Sequence, residues 1–159
     1  MYIQAVTIFK TMKNIAQNRK AFHDYDILEK YEAGIALTGS EVKSIRAGKV
    51  SLSDSYGQCL RGEIFLIHFH ITPYDRVGVY APDPYRKRKL LLRKREIFHL
   101  CNEVERKQLT IIPLSLYFQN QWVKVQIGLC RGRKKYDKRQ KIADAESKRR
   151  ISQIIGRRR

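Results

Sequence analysis

Two pairs of side chains have residue types and spacings that could carry chemistry. His68 and His70 alternate along a predicted strand, so their imidazoles would project from one face, as two ligands of a metal ion would. No cysteine or carboxylate at a suitable spacing completes a tetrahedral set, so ordinary surface or interface histidines are the preferred interpretation. His99 and Cys101 lie two residues apart on a predicted helix and would not face each other. This spacing argues against a nucleophile and its base.

Motifs of catalysis are missing as well. The sequence has no phosphate-binding glycine loop and no HExxH segment. We therefore predict that the protein is not an enzyme and uses no metal or other cofactor. The alternative from another class is an RNA-acting enzyme with a basic anchoring tail, which would need a convergent catalytic cluster that the sequence does not contain.

The charge distribution indicates a binding function. The 159 residues include 33 Lys or Arg and 15 Asp or Glu, a formal net charge of +18. Residues 131–159 hold 13 of the basic and three of the acidic residues, so more than half of the net charge lies in under a fifth of the chain. Such charge favours a polyanionic partner, foremost nucleic acid. An anionic membrane surface is the weaker alternative, because no bulky apolar anchor accompanies the charge.

Cysteine usage and the N-terminus predict the location in the cell. Cys59, Cys101 and Cys130 are widely spaced and form no CxxC motif, which predicts reduced thiols and no disulfide framework. The first residues lack the features of a signal peptide, and no apolar run is long enough to cross a bilayer. We expect a cytoplasmic protein. Our hypothesis for the natural start of translation is Met12, in place of Met1.

Alternating apolar and polar residues predict the strands. One strand is expected from Tyr25 to Leu37, and another over residues 63–72. Residues 109–118 and 122–130, separated by a short polar segment, predict a long hairpin. The residues expected on one face of the second strand are Phe65, Ile67, Phe69 and Ile71. Those expected on one face of the last strand are Val123, Val125, Ile127 and Leu129.

Two helices are expected between these strands. Ser40 would cap a short helix that Gly48 ends. A second helix is indicated by i, i+3, i+4, i+7 spacing of Ile97, Leu100, Cys101 and Val104. Residues 81–89 form a proline-punctuated loop that ends in four consecutive basic residues, Arg86 to Lys89. Short antiparallel strands with two helices favour a mainly β fold, a small closed or nearly closed barrel with flanking helices.

Longer motifs resemble a known family. Residues 18–56, NRKAFHDYDILEKYEAGIALTGSEVKSIRAGKVSLSDSY, resemble SmpB (small protein B), the tmRNA-binding family of bacterial trans-translation. The resemblance continues through GEIFLIHFHITPY, DPYRKRKLLLRKREI, PLSLYFQNQWVKVQIGL and GRKKYDKR, and it covers nearly all of residues 18–139 in order.

This resemblance implies a fold and a function. Family members have a barrel of oligonucleotide-binding type, bind the tRNA-like domain of tmRNA and travel with it to ribosomes stalled on truncated messages. The implied partners are tmRNA, the small-subunit decoding region and mRNA channel of the ribosome, and, indirectly, alanyl-tmRNA with elongation factor Tu. A general tRNA- or rRNA-binding barrel protein of the translation apparatus is the alternative, against which the EVKS and RKLLL motifs argue.

The chain is accordingly divided into three parts. Residues 1–17 are expected to be a flexible N-terminal extension, and residues 18–130 an RNA-binding barrel domain. Residues 131–159 form a basic tail with too little apolar surface to order alone. The tail is rich in helix formers, so we expect it to be disordered when free and helical on the ribosome.

Residue chemistry and the resemblance together predict a tmRNA-binding set. Arg19 and Lys20 could neutralise phosphates or form only a solvated basic arm, and His23 and Tyr25 could stack on an unpaired base, although Tyr25 fits a core role equally well. Glu32 and Leu91 enter through the resemblance, since a carboxylate repels phosphate and a leucine is ordinarily a core residue. The complete set is Asn18, Arg19, Lys20, His23, Tyr25, Glu32, Lys43, Arg46, Lys49, Lys89 and Leu91. The other cations of the run Arg86 to Lys89 could extend this surface.

The tail is expected to contact the ribosome. In the family it enters the mRNA channel, which is empty when the message is truncated, so it would sense missing mRNA. Many family tails carry a tryptophan, whereas this one has no aromatic residue after Tyr136. The ribosome-binding residues that the family pattern implies are Arg133, Lys134, Lys135, Asp137, Lys138, Arg139, Ile154 and Ile155, with Arg133 in place of a lysine.

Overall fold

A computed structural model describes residues 12–133 and 145–149 of the chain. Residues 145–149 are helical and their side chains are exposed. The elements of the main body, in chain order, are β1 (Met12–Gln17), α1 (Arg19–Asp24), β2 (Tyr25–Ile35), α2 (Gly39–Arg46), β3 (Val50–Ser51), β4 (Tyr56–Leu60), β5 (Glu63–Ile67), β6 (His70–Ile71), a 3-10 turn (Gly78–Tyr80), β7 (Arg88–Leu91), α3 (Lys94–Lys107), β8 (Thr110–Gln119) and β9 (Trp122–Gly132).

Most of the strands belong to one antiparallel sheet. Its hydrogen-bonded order is β1-β8-β4-β5-β7-β2-β9, and β8 pairs with β9 in addition. Strands β3 and β6 form a separate two-stranded ladder. The predicted mainly β fold with flanking helices is confirmed at this level.

The β8–β9 hairpin supplies much of the core. Gln119 pairs with Trp122 across a two-residue turn, in which Asn120 adopts a left-handed backbone (φ 57°). Asparagine tolerates this conformation better than most residues. The predicted inward face of β9 is confirmed, because four alternating side chains are buried: Val123, Val125, Ile127 and Leu129.

Helix α3 covers one side of this core. Leu100 is fully buried, and Ile97, Cys101 and Val104 pack against the same cluster, as their spacing predicts. The helix begins with a hydrogen bond from the Arg93 backbone N–H to the Glu96 carboxylate, 2.9 Å long.

The continuous strand predicted over residues 63–72 is wrong. His68 has a left-handed backbone (φ 55°) that separates β5 from β6. Before this break Ile64 and Leu66 are fully buried, whereas Phe65 is only partly buried. After it Phe69 and Ile71 are buried, so the break changes which positions face the core.

Three local predictions are also corrected. Thr38, not Ser40, caps α2, and Thr38 forms a reciprocal capping box with Glu41. The proline-punctuated loop ends earlier than predicted, because β7 begins at Arg88 and pairs with β2 and β5. Residues 12–17 lie in the predicted flexible extension, yet they form β1 and pair with β8. Residues 1–11, with the question of the start codon, lie outside the described residues.

The cysteines differ from the prediction of reduced thiols. Cys59 on β4 and Cys101 on α3 form a disulfide, with their Cα atoms 5.9 Å apart. Cys130 is a buried free thiol. Sequence spacing could not reveal this pair, because only the packing of α3 against the sheet brings the two residues together. Within the described part of the chain, no helix is both long and apolar enough to cross a membrane.

Candidate nucleic-acid interface

Asn18 anchors the first part of the predicted binding set. Its side chain is buried, with Oδ1 accepting a hydrogen bond from the Ala21 N–H (3.1 Å). Nδ2 donates to the carbonyl oxygens of Leu52 (3.2 Å) and Pro113 (3.1 Å). Both amide hydrogens are therefore used inside the protein. Asn18 fixes α1 against the sheet and does not present its side chain to solvent.

Helix α1 presents the cations and the imidazole that follow Asn18. Arg19 is exposed, and Lys20 forms an ion pair of 2.7 Å with Asp54, both side chains being largely exposed. The hydrogen bond to Asp54 and the charge of this carboxylate raise the pKa of Lys20. His23 is exposed and lies 3.0 Å from the Asp24 carboxylate. These residues form an accessible, mostly basic surface.

Tyr25 belongs to the interior more than to this surface. It is partly buried and packs against the cluster of Ala21, Ile112, Leu114 and Cys130. Tyr25 therefore has the core role that was one of its two predicted roles. Its ring is not a free stacking platform.

A second surface is the outer side of β7, β2 and β9. Gly34 on β2 pairs with Leu91 on β7 and with Lys124 on β9. Because alternate residues of a strand point to opposite sides, Glu32 and Trp122 share this outward side. Leu91 is 53% exposed and Trp122 is 73% exposed. We call the five residues Glu32, Gly34, Leu91, Trp122 and Lys124 the outer face.

The carboxylate of Glu32 is held in place on the outer face. Its Oε2 accepts a 2.5 Å hydrogen bond from the Tyr117 hydroxyl, and its Oε1 lies 3.9 Å from the Lys124 ammonium. Burial and the hydrogen bond to Glu32 raise the pKa of Tyr117 far above its usual value, so the phenol stays a donor. An oriented, partly exposed carboxylate can accept hydrogen bonds from base amines.

The structure divides the predicted set between two places. Tyr25 and Glu32 are seven residues apart on β2, a distance of roughly 20–25 Å along an extended strand. Asn18, Arg19, Lys20 and His23 lie at the first end, and Glu32 and Leu91 at the second. A ligand that contacts both ends must therefore be large.

The cations of α2 are exposed and each has a neighbour. The Lys43 ammonium lies 5.4 Å from the Tyr74 ring centre, and the Arg46 guanidinium lies 5.8 Å from the Phe118 ring centre. Lys49 lies 3.2 Å from Asp75. On β7, the Lys89 ammonium pairs with Glu63. These positions are accessible to phosphates.

The expectation that the whole run Arg86 to Lys89 extends a surface is wrong. Arg88 is fully buried, because the β7 alternation turns it inward. It lies 2.9 Å from Glu41 Oε1 and donates to the carbonyl oxygens of Phe69, Arg86 and Pro84. Arg86 also binds Glu41, at 2.5 Å. The run is therefore partly a buried ion-pair network.

Comparisons with known proteins identify the relatives of this chain. Residues 15–157 match the model of the family described as SmpB protein. The chain is 50% identical over 143 residues to the SsrA-binding protein of Carboxydothermus hydrogenoformans, covering 90% of this chain and 96% of that protein. It is 49% identical over 148 residues to the SsrA-binding protein of Gloeobacter violaceus, covering 93% and 97%.

The chain belongs to the SmpB family.

A solved structure supports the same assignment. A chain in the structure described as "tmRNA-SmpB: a journey to the center of the bacterial ribosome" has 50% sequence identity and a TM-score of 0.64. The match covers 76% of this chain and 85% of that chain.

In this SmpB-family chain, the start of the tail is attached to α1 and β2. The backbone N–H of Arg133 donates to the Asp24 carbonyl (3.1 Å). The Arg133 side chain donates to the Asp26 carboxylate (2.7 Å) and to the His23 carbonyl (2.8 Å). Arg133 therefore belongs to the folded domain. The remaining predicted tail residues lie outside the described residues: Lys134, Lys135, Asp137, Lys138, Arg139, Ile154 and Ile155.

The two candidate metal ligands each lie beside an aromatic ring in this SmpB-family fold. His68 packs near Tyr56 (ring centres 5.9 Å apart) and His70 near Tyr85 (4.9 Å). In residues 12–133 and 145–149, no group of three or more His, Cys, Asp or Glu side chains is arranged to hold a metal ion.

Sequence reasoning missed Trp122 and Tyr117. Both lie in the predicted hairpin, but neither was included in the binding set. Tyr117 and Glu32 are 85 residues apart, and no local spacing connects them. Trp122 had a usable signal, since a tryptophan directly after a tight turn lies where side chains are commonly exposed.

Proposed function

We propose that this protein binds the tRNA-like domain of tmRNA and delivers it to ribosomes stalled on truncated mRNA. Membership of the SmpB family supports the proposal, as does about 50% identity to SsrA-binding proteins over most of the chain. The observation that carries it is the outer face, where an oriented Glu32 carboxylate, a lysine and two exposed apolar side chains stand together. Such a mixture suits bases and phosphates together. The proposed role is binding, with no catalysis.

A general tRNA- or rRNA-binding function is not favoured. The family match spans the folded domain and most of the basic tail, residues 15–157, so the relationship is not limited to a barrel that many RNA-binding proteins share. The relatives that align along nearly their whole length are named SsrA-binding proteins.

The proposed domain organisation follows the boundaries expected from the sequence except at the start of the tail. Residues 18–130 form the RNA-binding domain, to which β1 adds a strand, and the domain continues to Arg133 because β9 ends at Gly132 and Arg133 binds Asp26. The tail leaves this domain after Arg133. We infer that the sheet is a closed barrel of oligonucleotide-binding type, because β8 pairs with β4 on one side and β9 on the other. Closure through the β8–β9 pairing would leave β9 without an exposed edge.

The proposed tmRNA contacts fall into two groups. The α1 end contributes Arg19, Lys20 and His23, with Asn18 and Tyr25 in supporting positions. The other end contributes Glu32 and Leu91. Cations that would add phosphate contacts are the exposed Lys43, Arg46 and Lys49 and the partly buried Lys89. Contacts at both ends fit a folded RNA domain, which is large enough to reach across roughly 20–25 Å.

The tail is proposed to sense the empty mRNA channel of the small subunit. Residues 131–159 have a net charge of +10, and channel walls made of rRNA are negative. A helix would be stabilised there because phosphates screen the repulsion between its cations. The proposal includes the seven tail residues beyond Arg133 named above, an indirect partnership with alanyl-tmRNA and elongation factor Tu, and action in the cytoplasm.

The first test is the identity of the bound RNA. The full-length protein is purified from its source cell under native conditions, and the bound RNA is sequenced against total RNA. Dominant tmRNA is the expected result. A spread of tRNA and rRNA fragments without enrichment of tmRNA would overturn the proposal and leave a general RNA-binding protein.

The tail is tested separately by two truncations. Ending the chain after Arg133 keeps the contacts of this residue with Asp26 and His23, whereas ending it after Gly132 removes them. Both proteins are expected to bind tmRNA and to fail in tagging peptides on stalled ribosomes. Loss of tmRNA binding by the chain that retains Arg133 would mean that the tail is general RNA-binding sequence and not a sensor.

A further inference from the structure

The Cys59–Cys101 disulfide joins α3 to the β4–β5 hairpin. Cys59 lies on β4, opposite Ile64 of β5, and Cys101 lies in the middle of α3. The chain between the two cysteines includes β5, β6 and β7, and β7 carries Lys89 and Leu91, two of the proposed tmRNA contacts. The disulfide therefore closes a loop that contains part of the proposed binding surface.

The two cysteines of this disulfide are accessible to a degree that Cys130 is not. Cys59 and Cys101 are partly buried and border the core, whereas Cys130, the third cysteine of the chain, is fully buried. Exchange between a disulfide and a thiol requires that a thiolate reach one of the sulfur atoms. Partial exposure therefore permits reaction of the Cys59–Cys101 pair while the fold is intact.

Helix α3 has contacts that keep it near the sheet after reduction. Leu100 is fully buried, and Ile97 and Val104 pack against the same core cluster. Two residues connect α3 to β7, and two connect it to β8. Loss of the disulfide would therefore free the helix to open locally without separating it from the domain, and the disulfide could form again.

Helix α3 also contacts the strand that carries Glu32. The His99 Nε2 atom lies 3.0 Å from the Glu29 carboxylate, and the Tyr31 hydroxyl donates a 2.5 Å hydrogen bond to the same carboxylate. His99 is two positions before Cys101, and Glu29 is three positions before Glu32. Movement of α3 would therefore reach β2 through this contact and β7 through the short connection.

We propose that the Cys59–Cys101 disulfide is a reversible redox switch that controls the position of α3. In the oxidised protein the helix is held on the sheet and the RNA ligand binds tightly, whereas in the reduced protein the helix opens locally and binding is weaker. The inference rests on the proposed function in the cytoplasm. There, outside hyperthermophiles, disulfides usually serve catalysis or redox sensing and not structure. Because the proposed role includes no catalysis, redox sensing is the role that fits.

Both directions of the switch are balanced thiol chemistry. For reduction, a thiolate of a cellular dithiol attacks one sulfur atom of the disulfide and releases the other as a cysteine thiolate, which takes up a proton. The second thiol of the dithiol then displaces the remaining cysteine, so two electrons pass to the protein and the dithiol becomes a disulfide. For oxidation, hydrogen peroxide transfers one oxygen to a cysteine thiolate to give a sulfenic acid and water, and the second thiol condenses with the sulfenic acid and releases a second water.

Hydrogen exchange of the full-length protein tests whether reduction releases α3. Amide exchange is measured with the disulfide intact, after reduction with dithiothreitol, and after reoxidation with hydrogen peroxide. Reduction is expected to accelerate exchange in α3 more than in β9, and reoxidation should restore the original rates. A crosslink that only constrains the unfolded chain would accelerate exchange in the two elements equally.

Binding of a transcript of the tRNA-like domain of tmRNA tests the functional consequence. Reduction is expected to weaken the affinity by about 5-fold or more, the low end of typical coupling between two sites. The double variant Cys59→Ser/Cys101→Ser should bind as the reduced wild type does and should not respond to dithiothreitol. Cys130→Ala is the matched control, because it keeps the disulfide pair and should respond as the wild type does. Circular dichroism checks that each protein is folded.

The outcomes separate the switch from the proposed function. Equal acceleration of exchange in α3 and β9, or equal affinity of the oxidised and reduced proteins, would overturn the switch and leave a structural crosslink, while tmRNA binding would stand. A disulfide that dithiothreitol does not reduce in the folded protein would overturn the switch as well. Failure of the oxidised protein to bind the transcript would overturn the proposed function and with it the control of RNA binding, whereas the exchange rates are measured without RNA and report on α3 alone.

Discussion

The Tyr117 hydroxyl donates a 2.5 Å hydrogen bond to the Glu32 carboxylate, joining residues that are 85 positions apart in the chain. A carboxylate on an RNA-binding surface repels phosphates unless it is directed at a base edge. The buried phenol and the nearby Lys124 restrict where the Glu32 carboxylate can lie. Glu32 can therefore act as an oriented acceptor in an otherwise basic protein.

Glu32→Ala is expected to weaken tmRNA binding more than removal of one surface lysine does. Lys30→Ala is the matched comparison, because Lys30 is exposed on the same strand. Tyr117→Phe should have a smaller effect, about 2- to 10-fold, since it removes one hydrogen bond and keeps the ring. Mobility-shift titrations measure the tmRNA affinity of all three variants. An unchanged affinity for Glu32→Ala, in a protein with a native circular dichroism spectrum, would rule out this role.

Asn18→Ala is expected to lower the free energy of unfolding by about 1–3 kcal/mol, because the Leu52 and Pro113 carbonyls and the Ala21 N–H lose their partner. Arg19→Ala, next to it, should change stability by less than about 0.5 kcal/mol. If Arg19 contacts a phosphate, its removal should also reduce the slope of log affinity against log salt by about 1. Urea unfolding and salt-dependent binding test the pair. Equal stability of the two variants would contradict the supporting role of Asn18.

Acid is expected to weaken the buried network of Glu41, Arg86 and Arg88. Burial of Glu41 opposes its ionisation, but the hydrogen bonds from Arg86 and Thr38 and the charge of Arg88 outweigh burial and lower its pKa below the usual 4.5. Its stabilising contribution is therefore present above about pH 4.5 and is lost as the pH falls through the lower folded-state value.

Glu41→Gln tests this network. Arg88 is fully buried and would lose its counter-charge, so the free energy of unfolding at pH 7 should fall by about 3–5 kcal/mol. Urea midpoints measured between pH 3 and pH 7 should drop less steeply in the variant than in the wild type. Glu105→Gln, an exposed residue of α3, serves as the control. If the urea midpoints of Glu41→Gln and of the wild type fall equally steeply with decreasing pH, Glu41 is excluded as the titrating group.

Reduction of the Cys59–Cys101 disulfide is expected to destabilise the fold by about 2–4 kcal/mol, since it joins residues separated by 42 positions. Cys59→Ser should show a similar loss and no further response to reductant. Thiol counting supplies a second measurement. Burial raises the pKa of Cys130 to about 11, so this thiol should react slowly until the protein is unfolded. Detection of two additional fast-reacting thiols in the unreduced, folded protein would show that the disulfide is absent.

Periodic patterns in the sequence were sufficient for elements that have one buried side. The alternation from Val123 to Leu129 and the helical spacing of Ile97, Leu100 and Val104 each predicted the buried face. These predictions succeed because, when one side of a strand or helix is buried, apolar residues recur in the sequence with the period of that element. The concentration of basic residues after Cys130, and the motifs that resemble SmpB, are likewise properties of the chain itself.

At several polar and apolar positions, only the tertiary structure decided whether the side chain faces solvent. The basic run Arg86 to Lys89 looks uniform, yet β7 turns Arg88 inward to Glu41, which is 47 residues away. Leu91 is the reverse case, because the same alternation turns a leucine outward beside Gly34. Asn18 is buried where the carbonyl groups of Leu52, just after β3, and of Pro113 on β8 accept its hydrogen bonds. Contacts between residues far apart in sequence leave no local period, so the paired strands and not the sequence pattern determined the two surfaces.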